Sequence, residues 1–575
     1  MRLIDPFDGV ISEAGRKVIS TGWQGVLRHF VLHHLPALRL GDDLSDDMGR
    51  PSSELHAMCG LLLIREFQNW TVPQTLEAVL FRSDVQYALN LEPGFEISQR
   101  TIERYIARLQ DDEGLAAELM ATVTDELVRQ LELTVSKQRL DSTHIISDMA
   151  VFGRTRMMGV ALKRFLAEVK RRHASDFAAV PEELRRRYEA STGSLFADAK
   201  TSEQRQKSRQ QAAADLHAVI EHFADHDRIA SWTSYLKLRT MFEQQCEVVE
   251  SEVVESEVAP SEVVVRKSPG GDVMLNPSDP DATYCGRKGS GYQVQLSESC
   301  GADNEVELIL GADVETACVA DAGAVESMLD ELGSRGHQPQ ELLADCGYGS
   351  DGNVELAKSR DVDLISPVPG GKKFDPDEVT AAGFTLNAEH EVTSCPAGHA
   401  PVSSSYNESS DRVAVTMSPE LCSSCPLLSQ CPVRLKTGEN LRGPSARVYF
   451  TMSEHRSCHR REAEQTPGFR DRYRLRSGIE GTNGSLKRRC GLGRLRVRGM
   501  RAVTSSLLLK VTGWNILRAA CSSKLQALVF GCPDPATDQE SLLPVIAHHD
   551  WRAFPFVPQS FNTSIHLIPR ILLVL

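Results

Sequence analysis

The chain has 575 residues, 41% hydrophobic and 25% charged, with a formal net charge of -14. That length allows several domains and at least one large core, which excludes a small disulfide-stapled scaffold. No apolar run approaches the roughly 20 residues that a membrane helix needs, so no span is expected.

The N-terminal MRLIDPFDGVISEAG lacks the basic start, apolar stretch and small-residue cleavage site of an export signal, so the reducing cytosol is the expected compartment. The fourteen cysteines are then expected as free thiols or metal ligands. Residues 1–130 read as helical. SSELHAMCGLLLIREF places apolar side chains at helical spacing, and TVPQTLEAVL offers a Thr cap followed closely by Pro. In ISQRTIERYIARL, Ser98 is a cap and Ile102, Tyr105, Ile106 and Leu109 form an amphipathic stripe. A compact bundle follows, with a DNA-binding role weighed against simple packing.

Residues 131–150, with LTVSKQRLDSTHII, read as a strand, and 151–245 as a charged helical insertion whose Arg and Lys runs suit a solvated face. CEVVESEVVESEVAPSEVVV opens a segment, 246–280, expected as an acidic repeat and flexible linker. From 281 to 370 the pattern alternates. GYQVQL is a half-buried strand, VELILGADVETA another, AVESMLDELGSRG a helix, ELLADCGYG a strand running into a turn, NVELAKSR a helix and VDLISPV a strand. Such alternation predicts an α/β sheet with helices packed on it.

Residues 371–440 are a Cys-rich insertion. Cys395, Cys422, Cys425 and Cys431 can form a four-thiolate zinc site, with His399 as an alternative ligand and reduced, scattered thiols as the competing reading. A closed site of that kind would be structural. Residues 441–525 hold YRLRSGIEGTNGSLKRRCGLGRLRVRG, with eight Lys and Arg around one acid, Glu480. At about 100° per residue, Tyr473, Arg476, Glu480 and Lys487 share one helical stripe, while Leu475, Ile479 and Leu486 share another that faces the core. Residues 526–575 are a tail whose apolar HLIPRILLVL is too short to span a bilayer.

Asp141 stands in an apolar, β-branched neighbourhood, and Asp345 stands at the carboxyl end of the apolar strand ELLAD before Gly347 and Gly349. Ligands bind at such strand ends, although either aspartate taken singly reads as a turn or cap residue. Together with Y-x2-R-x3-E-x6-K, the two aspartates resemble the DDE transposases of bacterial insertion sequences, the group carrying this Tyr, Arg, Glu, Lys signature. DSTHI, NPSDPDATYCGRKGSGYQVQL, LLADCGYGS, the Cys-rich insertion and YRLRSGIEGTNGSLKRR follow in the order of that group.

The resemblance implies an RNase H-like mixed sheet flanked by helices, with a helical N-terminal domain and a Cys-rich zinc-binding insertion. It implies that Asp141, Asp345 and Glu480 converge to hold two Mg²⁺ or Mn²⁺ ions, which clamp the attacking and leaving oxygens of a phosphodiester. The implied reaction is cleavage of element ends and strand transfer into target DNA. Arg476, Lys487, Arg488 and Arg489 would meet phosphates, and Tyr473 would contact a nucleotide. His144 reads as structural. A homodimer on double-stranded DNA, in the bacterial cytoplasm at the nucleoid, is the implied setting. A catalytically silent DNA-binding descendant and a Mg²⁺ nuclease without joining activity are the alternatives.

Overall fold

The computed structural model describes residues 5–41, 54–112, 114–149, 152–189, 196, 199–249, 262–370, 374–436 and 444–530. Most of the acidic repeat and the tail beyond Phe530, with its apolar end, lie outside the described residues. Among the described residues no helix is long and apolar enough to cross a membrane.

The N-terminal part is helical, as its caps and stripes predict. Leu55–Phe67 (α1), Gln99–Asp111 (α2) and Leu115–Leu131 (α3) are its longest helices. Ser98 Oγ caps α2 by accepting from Thr101 N, and Ile102, Tyr105 and Leu109 are buried on its inner face. Helix α1 is apolar almost all round and is buried from Ala57 to Ile64, because helices cover it on several sides.

The central sheet contains Lys137–Ile145 (β1), Gly289–Ser299 (β2), Ile309–Thr316 (β3), Glu341–Ala344 (β4) and Asp363–Ile365 (β5). Its order is β3-β2-β1-β4-β5, with the short strand Thr283–Cys285 pairing to the start of β2. The first three strands are antiparallel neighbours, and β1, β4 and β5 run parallel. The sheet is mixed, as its crossovers require.

One expectation fails at β2. The alternation in GYQVQL suggests a strand wet on one face, yet Gln293, Gln295, Ser297 and Glu298 are as buried as Tyr292, Val294 and Leu296. The polar face is covered as well, and its groups are paired. Gln295 Nε2 donates to Glu315 at 2.8 Å, and Tyr348 Oη donates to Gln295 Oε1 at 2.5 Å. Buried amides are tolerable when bonded in this way.

Two insertions interrupt the sheet. Between β1 and β2, helices Arg154–Arg172, Ser202–Phe223 and Thr233–Gln245 enclose a core of their own around Phe165, Phe223 and Tyr235. The charge runs are therefore the outer face of a packed unit. The flanks of the segment expected as a linker also differ from expectation, since Cys246–Val249 and Glu262–Val265 pair as an antiparallel ladder. Their Val content favours that pairing. After β5, strands Ser403–Asn407, Arg412–Met417, Ser445–Thr451 and Arg434–Lys436 form a second, antiparallel sheet in that spatial order. This Cys-rich unit thus runs on to Thr451, beyond the expected end at 440.

Two later helices close the structure, Gly478–Arg489 (α4) and Met500–Ala519 (α5). Helix α5 packs on α1 and α3 and against β3, joining the N-terminal helices and the sheet in one apolar core. Its Asn515 treats the β3 edge as a strand would, accepting from Ile309 N at 2.9 Å and donating to Ile309 O at 2.7 Å. Asn515→Ala would leave both backbone groups buried and unpaired, at a cost of about 1–3 kcal/mol for each orphaned group. Urea unfolding of that variant should show the loss, and an unchanged midpoint would refute the assignment.

Candidate active site

Asp141 is the fifth residue of β1, opposite Leu296 on β2. On the other side, Leu140 is opposite Ala344 of the parallel β4, so the next step along each strand places Asp141 and Asp345 side by side. Backbone turns hold Asp345 there. Its Oδ1 accepts from Gly347 N at 2.8 Å, and its carbonyl accepts from Ser366 Oγ at 2.5 Å.

Glu480 arrives on α4. The approach is not the continuous helix that the stripe calculation assumes, because Pro467–Tyr473 is helical and Arg474–Ser477 is a 3-10 turn before α4 begins. The tighter turn advances about 120° per residue and rotates Tyr473 away from the stripe. Tyr473 instead stacks on Phe469, 5.5 Å between ring centroids, and packs near Leu343, Ile365 and Leu475. Leu475 is only partly buried, whereas Ile479 and Leu486 lie fully in the core.

Arg476 gathers the acids. One guanidinium nitrogen is 2.7 Å from Asp141 Oδ1 and 3.9 Å from Asp345 Oδ2, and the other is 2.7 Å from Glu480 Oε1. Burial opposes the charge of Arg476, but Asp141, Tyr473, Asp345 and Glu480 outweigh it and raise its pKa. Burial raises the pKa of Asp141, and the like charge of Asp345 adds to this against the pull of Arg476. Glu480 is largely exposed and Asp141 largely buried, so the cluster opens toward solvent on the α4 side.

Several residues escape sequence reasoning. Asn483 donates from Nδ2 to Asp141 Oδ2 at 3.0 Å, and its Oδ1 is buried without a hydrogen-bond partner. Its position three residues after Glu480 was the available signal. Arg139, two residues before Asp141, donates to Glu298 at 2.7 Å and to the Leu475 carbonyl at 3.0 Å. Thr482 of α4 donates to the same Glu298 at 2.6 Å. These contacts fasten the helix carrying Glu480 to the strands carrying Asp141. Gly478 makes room for the latch, since a Cβ there would overlap the Arg139 guanidinium.

Lys487 is partly buried on α4, and Arg488 and Arg489 are exposed. Burial first, and then Lys288, depress the Lys487 pKa. His144 bonds through Nε2 to the Ser290 carbonyl at 3.1 Å, which assigns Nε2 as the donor and leaves Nδ1 without a proton.

Beside the second sheet, in its helix and loops, Cys395, Cys422, Cys425 and Cys431 line one cavity of about 20 Å³ together with His399. Tight turns place them, with Gly398 N donating to Cys395 O and Cys425 N to Cys422 O. Burial raises the thiol pKa values of Cys422 and Cys431, and neighbouring cysteines reinforce the shift.

Residues 394–520 match the family model described as Transposase DDE domain. No curated protein and no solved structure matches the chain. The matched stretch contains Glu480, Arg476, Lys487 and the four cysteines, while Asp141 and Asp345 reach the same site from outside it. That match makes residues 394–520 of the chain similar to a transposase DDE domain.

Proposed function

We propose that this protein is the transposase of a bacterial insertion sequence, cleaving the element's ends and joining them to target DNA with the help of divalent metal ions. The gathering of Asp141, Asp345 and Glu480 around the single Arg476 guanidinium carries the reading. The order β3-β2-β1-β4-β5 supports an RNase H-like core, with the first two acids on neighbouring central strands.

DDE transposases use divalent metal ions and act on DNA. The donor set here fits Mg²⁺ or Mn²⁺, being three carboxylates with the unpartnered Asn483 Oδ1 among them, all hard oxygens. Asp141, Asp345 and Glu480 would hold the ions. When bound, a pair of such ions activates the attacking hydroxyl and stabilises charge on the leaving oxygen. Arg476 in this structure supplies the positive charge between the acids; released from them, it meets phosphate oxygens. Lys487, Arg488 and Arg489 extend that phosphate-binding surface, with Tyr473 beside it. Bringing two element ends together calls for a homodimer, acting at the nucleoid in the cytoplasm.

The test incubates the protein with labelled element-end DNA, target DNA and Mg²⁺. Nicked ends and joined products are expected. Bound ends with neither product would overturn the enzymatic reading in favour of a silent DNA-binding descendant, and cleavage without joining would favour a nuclease.

The four cysteines around one cavity support a structural zinc site beside the second sheet. Metal analysis should find about one zinc per chain, lost in Cys422→Ser. Absence of zinc from both proteins would remove this proposal.

A further inference from the structure

The second sheet buries one face and turns the other to solvent. Val413, Val415 and Met417 alternate with Arg412, Ala414 and Thr416 along one strand, and Ala446, Val448 and Phe450 alternate with Arg447 and Tyr449 along its neighbour. The apolar set forms the core of this unit. The outer face carries Arg412, Arg434, Lys436 and Arg447, all exposed, with the exposed ring of Tyr449 among them. Its other described positions are Ser, Thr, Asn or Ala, and no acid stands between the cations. In a chain of net charge -14, such a face is a local reversal of sign.

Register brings two of these cations together. Arg434 is directly opposite Arg447 on the neighbouring antiparallel strand, and Lys436 is opposite Ser445 on the same face. Side chains so opposed have Cβ atoms about 4.5–5.5 Å apart, and like charges placed there are destabilising. None of the four cations forms an ion pair with a described residue. Asp411, in the turn before Arg412, accepts instead from Tyr406 Oη and from Ser453 N, both at 3.1 Å. Arg412 lies over the Tyr449 ring, 4.3 Å from its centroid, which pins its charge to the face.

This face is fastened to the strand that leads to Asp345. Thr451, at the end of the strand Ser445–Thr451, caps the helix Met452–Ala463. From that helix Arg456 donates to Asp351 Oδ2 at 2.6 Å and Arg460 to the Ser366 carbonyl at 3.0 Å. Ser366 is the residue whose Oγ holds the Asp345 carbonyl.

We propose that the outer face of the second sheet binds the phosphate backbone of duplex DNA, with Arg434 and Arg447 holding one phosphate between them. The proposal rests on the transposase reading and adds a surface outside the carboxylate site. Guanidinium, ammonium and hydroxyl donors on a sheet face suit phosphate oxygens, and contacts of that kind position a duplex without reading its sequence. A phosphate between the two arginines would also relieve their repulsion.

The experiment measures binding of a duplex carrying an element end across a range of salt, without added divalent ions so that the DNA stays intact. The double variant Arg434→Gln, Arg447→Gln is compared with wild type and with Lys170→Gln, Arg186→Gln. That control removes the same charge from cations already paired with Glu189 and Glu182 on the helical insertion. Each phosphate contact contributes about 0.9 to the slope of log K against log salt. The arginine variant should lower the slope by at least one contact, and the control should keep the wild-type slope. The unfolding midpoint of the arginine variant should be unchanged or raised, because a like-charge pair has been removed.

A fall of less than one contact in the arginine variant, or an equal fall in the control, would overturn the proposal and leave the transposase reading in place. A markedly lowered midpoint would make the arginines structural and overturn it as well. Failure of the wild type to bind DNA would instead reject the transposase reading, and this surface with it.

Discussion

Replacing Asp345 with alanine is expected to lower DNA cleavage and joining by more than about 10³-fold while leaving DNA binding nearly intact. The effect follows from where the carboxylate stands. It lies one residue past the end of β4, beside Asp141, and of the three acids it has the longest contact with Arg476, 3.9 Å. The side chain therefore does little to hold the apo site together and is free to serve as a ligand. Losing one of three carboxylates removes several kcal/mol of charge stabilisation, and each 1.36 kcal/mol is about tenfold in rate. Single-turnover cleavage and a binding isotherm on the same preparation separate chemistry from recognition. Cleavage within tenfold of wild type would show that Asp345 is a turn residue.

The second large effect is structural and lies two residues from the first acid. Arg139→Ala should destabilise the protein by about 3–5 kcal/mol, the usual cost of stranding one member of a buried ion pair. Glu298 is 1% exposed, and Arg139 is its cationic partner at 2.6 Å. Burial raises the Glu298 pKa even against Arg139, so removing the arginine raises it further. A carboxyl whose folded pKa is raised contributes stability that is present at low pH and lost as pH rises through that pKa. The penalty of Arg139→Ala should therefore be larger at pH 8 than at pH 5. Because Arg139 also holds the Leu475 carbonyl and Glu298 holds Thr482, the variant should detach α4 and lose activity with Glu480 still present. Denaturant unfolding at the two pH values tests this, and a loss below about 1 kcal/mol at both would refute the latch.

Local signals in the sequence carried far. Ser98 and Thr71 cap the helices they were expected to cap, and Asp345 directly follows the strand that ELLAD predicts, which ends at Ala344. The stripe joining Arg476 to Glu480 also holds, because these two residues flank the junction closely enough for their side chains to meet. Tyr473 departs from it because a 3-10 turn intervenes, and nothing in the order of residue types announces a change from 3.6 to 3.0 residues per turn.

What sequence reasoning missed depends on contacts distant along the chain. The Glu298–Thr482 bond spans 184 residues, and Lys288 meets Ser142 across 146. The glutamines of β2 read as a wet face because alternation reports polarity and not coverage. Likewise, the charge runs between β1 and β2 concealed a second core, since the apolar residues beneath them are spread over several helices.

On the proposed reading, Asp141, Asp345 and Glu480 form one metal-binding centre. Calorimetric titration of Mn²⁺ into the wild type, Asp141→Asn, Asp345→Asn and Glu480→Gln tests it without DNA or turnover. The wild type should bind Mn²⁺, and each substitution should weaken that binding by at least about tenfold, one ligand lost being worth at least 1.4 kcal/mol. No Mn²⁺ binding by the wild type, or wild-type affinity in all three variants, would contradict it.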